Sequence, residues 1–224
     1  MNWPIVKRLV WKDWYLVRWP IVGCLAGGAL SVAMIGMRTN ASFYFGSVLF
    51  ITVVMIAAIL LPMGTVLQER KDQTLPFVMT LPVSPDDYTM SKIIGNLTIF
   101  AFPWLLLSSG VMIVLASGGP KMRAVIPFSA ALIGEMFASF VLLLAVAIVT
   151  ESQAWTVSVM VAGNLFLQGF MYYVARIPSI ARGLNGNGVS WDPAAITLLI
   201  AEGLAVAAMV CVTFMLQRRK RDFL

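Results

Sequence analysis

The sequence is short of charged residues and contains no histidine. Only 12% of its 224 residues are charged, whereas 60% are apolar, and the mean hydropathy is +0.88. An ordinary soluble domain is about 25% charged, so this chain has too little polar surface for a water-facing exterior. Without histidine there is no imidazole base, no Ser-His or Cys-His couple and no histidine metal ligand. The composition therefore predicts a membrane protein and excludes most familiar hydrolase chemistry.

The sequence also has only two cysteines and lacks a glycine-rich phosphate-binding motif. The two cysteines, Cys24 and Cys211, lie in apolar stretches near opposite ends of the chain. This placement predicts small buried apolar residues and disfavours a zinc site or a disulfide framework. No Gly-Lys dipeptide occurs, so the chain has no Walker A motif to hold ATP phosphates. We expect no catalytic residue, no metal site and no cofactor in this chain.

Long apolar runs are abundant and divide the chain into six candidate spans. Each reaches the roughly 17–25 residues that a tilted helix needs to cross a bilayer. The pattern predicts an all-α, polytopic fold with one membrane domain over residues 1–224, the spans lying within residues 19–216. The candidate spans are residues 19–37, 43–67, 93–116, 124–149, 154–175 and 194–216.

The basic residues indicate the orientation of these spans. With six spans both termini lie on one side, and that side carries eleven of the sixteen Lys and Arg residues, against five on the other. The positive-inside rule then places both termini in the cytoplasm and accounts for the net charge of +6. A cleaved signal peptide over the first 37 residues is a less favoured alternative, because the apolar run exceeds the about 7–15 residues of a signal peptide.

Residues 1–18 are predicted to form an amphipathic helix on the inner leaflet. On a helical wheel the four cations of this segment share one arc with Trp11 and Tyr15, and apolar side chains fill the opposite side. Asp13 is the exception, because it falls on the apolar side. The helix is either a surface anchor or a mechanical link to a partner subunit.

The longest polar stretch, residues 68–92, is the predicted cytoplasmic loop between spans two and three. A charged opening is followed by an apolar patch over residues 75–81 and then by a helix start, where Ser84, Pro85 and Asp87 form a capping arrangement. An exposed apolar patch on a short loop favours a docking element. The tail, residues 217–224, carries four consecutive cations and is typical of a stop-transfer cluster.

These residues carry a family resemblance. Residues 69–75, continued by residues 81–84 and by Lys92, resemble the loop between spans two and three of type-2 ABC exporter permeases. The sequence departs from that pattern with Gln73 in place of a glycine and with Pro76 where an acidic residue is common. In outline the resemblance covers the whole chain, from the amphipathic helix through six spans to the basic tail.

The resemblance implies a permease subunit of an ATP-binding-cassette exporter in a membrane of the bacterial inner-membrane type. Separate ATPase subunits would hold the ATP and Mg, and a second permease chain, identical or related, would complete a dimer. The cargo would be hydrophobic or amphipathic, such as a drug, a peptide or a lipid-like molecule, moved out of the cytoplasm. By position the resemblance assigns contact with the ATPase to five loop residues: Glu69, Arg70, Thr74, Leu75 and Phe77.

Four polar residues inside the spans are candidates for a substrate pathway. Glu135 and Glu202 lie near mid-depth, where carboxyls are costly and face a bundle interior, water or a partner. Asn164 and Gln168 lie four residues apart on one face of span five. Each set is either structural, through interhelical hydrogen bonds, or part of a path for substrate or protons. An ion-coupled secondary transporter, or a solute-binding membrane subunit, that uses the two glutamates is the alternative function, and an intramembrane enzyme is the least favoured.

Two further patterns concern helix shape and packing. Pro62 and Pro103 interrupt spans two and three and are expected to kink them. Gly23 and Gly27 form a small-xxx-small pair that is expected to allow close helix contact in span one.

Overall fold

The computed structural model describes residues 3–71, 85–184, 191 and 193–219, and within these ranges the chain is helical with no strand. Residues 63–67 form a π-helical turn, here called the π segment, between α2 and α3. The helices are α1 (Trp3–Gly36), α2 (Asn40–Pro62), α3 (Gln68–Lys71), α4 (Pro85–Ser117), α5 (Pro120–Arg123), α6 (Ile126–Thr150), α7 (Gln153–Val174), α8 (Pro178–Leu184) and α9 (Pro193–Arg219).

Six of these helices are long and apolar enough to cross a membrane, which confirms the predicted number of spans. They are α1, α2 with the π segment, α4, α5 with α6, α7 and α9. Short turns join α1 to α2, α4 to α5 and α6 to α7, so the spans on either side of each turn run antiparallel. We call the end at which α1 begins the inner end, following the orientation that the sequence predicts.

The first helix differs from the prediction of a separate interfacial helix over residues 1–18. α1 is continuous for 34 residues and passes through Pro20 without a break. Its buried positions recur every three or four residues from Val6 to Ile35, so one continuous seam packs against α2 and α4 along the whole helix. The amphipathic pattern of the first 18 residues therefore marks the inner part of this seam.

α6 is the central helix of the bundle. It packs against α2, α4, α7 and α9, and the largest hydrophobic core runs along it. Phe100 of α4 stacks on Phe140 of α6 with ring centroids 3.9 Å apart, and Trp104 Nε1 donates a hydrogen bond of 3.2 Å to the Ile133 carbonyl. α2, α4, α7 and α9 therefore surround α6, while α1 packs against α2 and α4.

α7 and α9 are peripheral and bury the least of the six spans. Their outward faces carry large apolar side chains such as Leu165 and Leu204, which suits contact with lipid or with another membrane chain. The prediction that both cysteines are buried is half right. Cys24 is buried, but Cys211 is exposed because α9 packs on one face only.

Close packing of α1 against α2 depends on glycines other than the predicted pair. Gly23 has open space where a Cβ would project, and only Gly27 of that pair adjoins α2, at Val53. The backbones approach closely at Gly46, where a Cβ would lie 2.9 Å from the Ser31 carbonyl oxygen and 3.0 Å from the Ile35 nitrogen. The close contact therefore lies at Gly46 of α2, which the spacing of glycines within α1 does not predict.

Candidate functional site

A buried ionic cluster at the inner end joins α1, α3 and α4. At its centre is the ammonium of Lys92, whose side chain is 2% exposed. Lys92 Nζ lies 3.0 and 2.9 Å from the two carboxylate oxygens of Asp13, 2.9 Å from Glu69 Oε2 and 2.7 Å from the Thr65 carbonyl oxygen. These four acceptor atoms belong to three groups, two carboxylates and one carbonyl, and so provide one group for each of the three N–H donors of a lysine.

Glu69 is the second anchor of this ionic cluster. Its carboxylate also accepts a hydrogen bond of 2.9 Å from the Tyr88 hydroxyl and pairs with Lys12, which is half-exposed. Burial opposes ionisation of Glu69, but the charge of Lys92 and hydrogen bonds from Lys12 and Lys92 outweigh it. The pKa of the Glu69 carboxyl therefore lies below its ordinary value of 4.5.

The π segment supplies the backbone acceptor of the cluster. It follows Pro62, and the Gln68 N–H bonds to the Met63 carbonyl five residues back, in the π pattern. The Thr65 carbonyl accepts from Lys92, and the Thr65 hydroxyl lies 2.8 Å from Asn96 Oδ1 and 2.7 Å from the Leu61 carbonyl. A π turn in a helix often marks a functional position, and here it coincides with the interruption expected at Pro62.

The depth of the cluster follows from helix length. Asp13 precedes Gly36 by 23 residues, which is about 35 Å along α1 at 1.5 Å per residue. The hydrocarbon core of a bilayer is about 30 Å thick, so the cluster lies at its inner boundary. The ionic groups therefore sit where span two ends and span three begins.

The cluster also closes the base of the predicted loop, residues 68–92. Glu69 near the start of the loop and Lys92 at its end are in direct contact, although 22 residues separate them in sequence. Of the five loop residues assigned by resemblance, Glu69 is buried in the cluster and Arg70 lies in α3. Thr74, Leu75 and Phe77 lie outside the described residues, and their predicted role stays a prediction.

Sequence reasoning missed the cluster, although one feature pointed to it. Asp13 interrupts the apolar side of the N-terminal pattern, and an acid on a buried face requires a cation. The sequence presents Lys92 as one of the basic residues that set topology and as part of the family pattern, but not as the partner of Asp13. The structure shows that this lysine is almost fully buried and is the partner of Asp13.

The four predicted pathway residues fall into two groups. Glu135 of α6 and Glu202 of α9 are both buried and are electrostatic neighbours. Asn164 and Gln168 of α7 are exposed on an outward face, and Asn164 Nδ2 donates to the Met160 carbonyl of its own helix at 2.9 Å. The structure therefore brings the two glutamates together. Asn164 lines a small cavity that also includes Ser139, the hydrogen-bond donor to Glu135.

A family model described as ABC-2 family transporter protein matches residues 8–216 of the chain. The match includes all six spans and the predicted loop, so the fold and the comparison define an ABC-type transporter membrane domain. The chain belongs to the ABC-2 family of transporter proteins and is an integral, multi-pass membrane protein. Comparisons with curated proteins and with solved structures gave no match.

Proposed function

We propose that this chain is the permease subunit of an ATP-driven exporter whose ATPase activity lies on separate partner subunits. Membership of the ABC-2 family supports the permease role. The sequence contains no Gly-Lys dipeptide and therefore no Walker A motif, which supports binding of ATP and Mg by the partner subunits. Movement of cargo out of the cytoplasm follows the family resemblance.

The observation that carries this proposal is the contact between Glu69 and Lys92. Because these residues lie at the two ends of the 68–92 loop, a force on the loop acts on α2 and α4 together. Asp13 binds the same ammonium and adds α1 to this unit. Three spans would then respond as one body when the loop moves, which is the requirement for coupling ATPase closure to a change in the membrane domain.

The loop itself provides the docking surface in this proposal. Residues 75–81 include Leu75, Phe77 and other apolar side chains that a water-facing loop would not retain without a partner. Leu75, Phe77 and Thr74 would contact the ATPase with Arg70, while Glu69 would anchor the loop from within the cluster. The cytoplasmic placement of this loop follows the count of basic residues.

A second permease chain would cover the outward face of α7. Asn164 and Gln168 lie exposed on that face, in the middle of an apolar span. Amides in the hydrocarbon region gain from interhelical hydrogen bonds, by about 1–2 kcal/mol in model peptides. Contact with an identical or related chain would supply such partners. The apolar walls of the spans favour a hydrophobic or amphipathic cargo.

Purification of the tagged chain from its native membrane in mild detergent tests the proposed function. We expect an ATP-binding subunit to copurify and the isolated complex to hydrolyse ATP. If no ATPase copurifies in several mild detergents and in lipid nanodiscs, the exporter proposal is wrong. Ion-coupled transport through Glu135 and Glu202 would then be the better explanation of the buried carboxyls.

A further inference from the structure

Glu135 and Glu202 are neighbours across the α6–α9 contact. Each lies nine positions after the first residue of its helix, and both helices start at the outer end. Glu202 Oε2 occupies the space where a Cβ on Gly134 would project, so its carboxyl lies directly beside the backbone that carries Glu135. The absence of a side chain at Gly134 is what allows this approach.

The carboxyl of Glu202 has no hydrogen-bond partner in the part of the chain that the structure describes. Glu202 is 9% exposed, and both of its carboxyl oxygens are buried. Glu135 receives one hydrogen bond of 3.1 Å, from the Ser139 hydroxyl. An unsatisfied buried polar group costs about 1–3 kcal/mol, and more when it is charged. The pair is therefore short of a hydrogen-bond donor or a positive charge.

The neighbouring spans provide no internal counter-ion. Apart from Lys92 near the inner end of α4, the helices α2, α4 and α7 contain no Lys or Arg. Lys92 is committed to the cluster at the inner end, and Arg176 lies at the outer end with its guanidinium 4.0 Å from the centre of the Tyr172 ring. Arg182 of α8 is also at the outer end and donates to the Pro178 carbonyl. Two neighbouring carboxyls in an apolar site therefore lack a positive partner among the described residues.

The region between the pair and the outer end is apolar and suits a lipophilic body. A small core that includes Ala131 and Phe170 lies on this side of the pair. An open groove of about 610 Å³ adjoins it. Its lining includes Leu198 and Ala201, within one turn of Glu202 on α9, and also Thr197 and Arg176. A ligand in this groove would pass Arg176 at the outer end, and its apolar body would then lie against side chains such as Leu198, one helical turn from Glu202.

We propose that Glu135 and Glu202 bind one monovalent cationic group of a lipophilic ligand, in competition with a proton. The positive group would lie between the carboxyls and supply the charge that Glu202 is missing, while the apolar body would occupy the groove. Such a site would determine the class of cargo that the permease moves, so this assignment rests on the proposed function. Lipophilic amines, quaternary ammonium ions and phosphonium ions share the required chemistry.

Binding of tetraphenylphosphonium to the full chain in lipid nanodiscs tests this site. Equilibrium dialysis should show saturable binding with one site per chain. Glu135→Gln and Glu202→Gln should each weaken it by at least about tenfold, because a charge partner of the cation is lost. Glu151→Gln, which removes a carboxyl at the inner end of α6, is the matched control and should bind as the parent does. Uncharged tetraphenylmethane should not compete.

The pH dependence provides a second measurement that needs no variant. Protons compete for the carboxyls, so affinity for tetraphenylphosphonium should fall as the pH falls. Absence of saturable binding, equal affinity in Glu202→Gln, competition by tetraphenylmethane, or binding that is independent of pH would each overturn the assignment. The assay needs no ATPase. If an ATPase copurifies but tetraphenylphosphonium does not bind, only the cation site is rejected. If tetraphenylphosphonium binds but no ATPase copurifies, only the exporter proposal is rejected.

Discussion

Lys92 and Asp13 form a buried ion pair in which one ammonium lies within 3.0 Å of both carboxylate oxygens, across 79 residues of sequence. The pair joins the inner part of the first span to the start of the third. Because Glu69 and the Thr65 carbonyl bind the same ammonium, the pair also holds the end of the second span. A single side chain thus connects the first three spans.

Replacement of Lys92 by methionine should destabilise the protein strongly. The length of the side chain is kept, but Asp13 loses its charge partner inside the cluster. Loss of one member of a buried ion pair costs about 3–5 kcal/mol. Thermal unfolding in detergent should show a large decrease in Tm for Lys92→Met and almost none for Lys71→Met, the matched change at an exposed lysine. Similar Tm values for these two variants would show that the ion pair adds nothing to stability.

Replacement of Thr65 by valine tests the π segment. Valine keeps the shape of threonine but removes the hydroxyl beside Asn96 Oδ1, and an unpaired buried polar group costs about 1–3 kcal/mol. The control is Thr52→Val, since Thr52 is exposed and bonds only to the carbonyl four residues back in its own helix. Unfolding in detergent should separate the two variants. Equal stability would contradict a structural role for the Thr65 hydroxyl.

The stability of the cluster should depend on pH through Glu69. The pKa of this carboxyl is lower in the folded chain than its ordinary value of 4.5, so the folded state binds the proton less tightly. Its stabilising effect is complete above the ordinary value and is lost as the pH falls through the lower, folded value. The difference in Tm between the parent and Glu69→Gln should therefore be largest near neutral pH and should shrink in acid. A difference that stays constant with pH would be inconsistent with a depressed pKa.

Alanine at Gly46 should separate α1 from α2. The added Cβ would meet the backbone of Ser31 and Ile35, which cannot rotate away as a side chain can. Overpacking of this kind costs about 1–3 kcal/mol. Gly23→Ala is the control, because its Cβ would project into open space and alanine favours the helix. Comparable Tm values for the two variants would rule out close backbone contact at Gly46.

The spans could be predicted from the sequence because a bilayer fixes both the length and the apolar character of a crossing helix. The ionic cluster could not, since Asp13, Glu69 and Lys92 meet only after three helices have packed. Asp13 showed that a partner was needed but not which cation it was. For Glu135 and Glu202 the sequence indicated similar depth, whereas their contact depends on how α9 rotates against Gly134. The exposure of Asn164 and Gln168 likewise follows from the peripheral position of α7.

The role of the loop in ATPase coupling is tested most directly by copurification of the ATPase with two matched variants. Leu75→Asp places a charge in the apolar patch of the loop, and Gly119→Asp places the same charge at the opposite end of the bundle, where no atom lies within 4 Å of the added Cβ. Both should keep the Tm of the parent. The ATPase should be lost from Leu75→Asp and retained by Gly119→Asp. Full recovery of the ATPase with a folded Leu75→Asp variant would contradict coupling through the 68–92 loop.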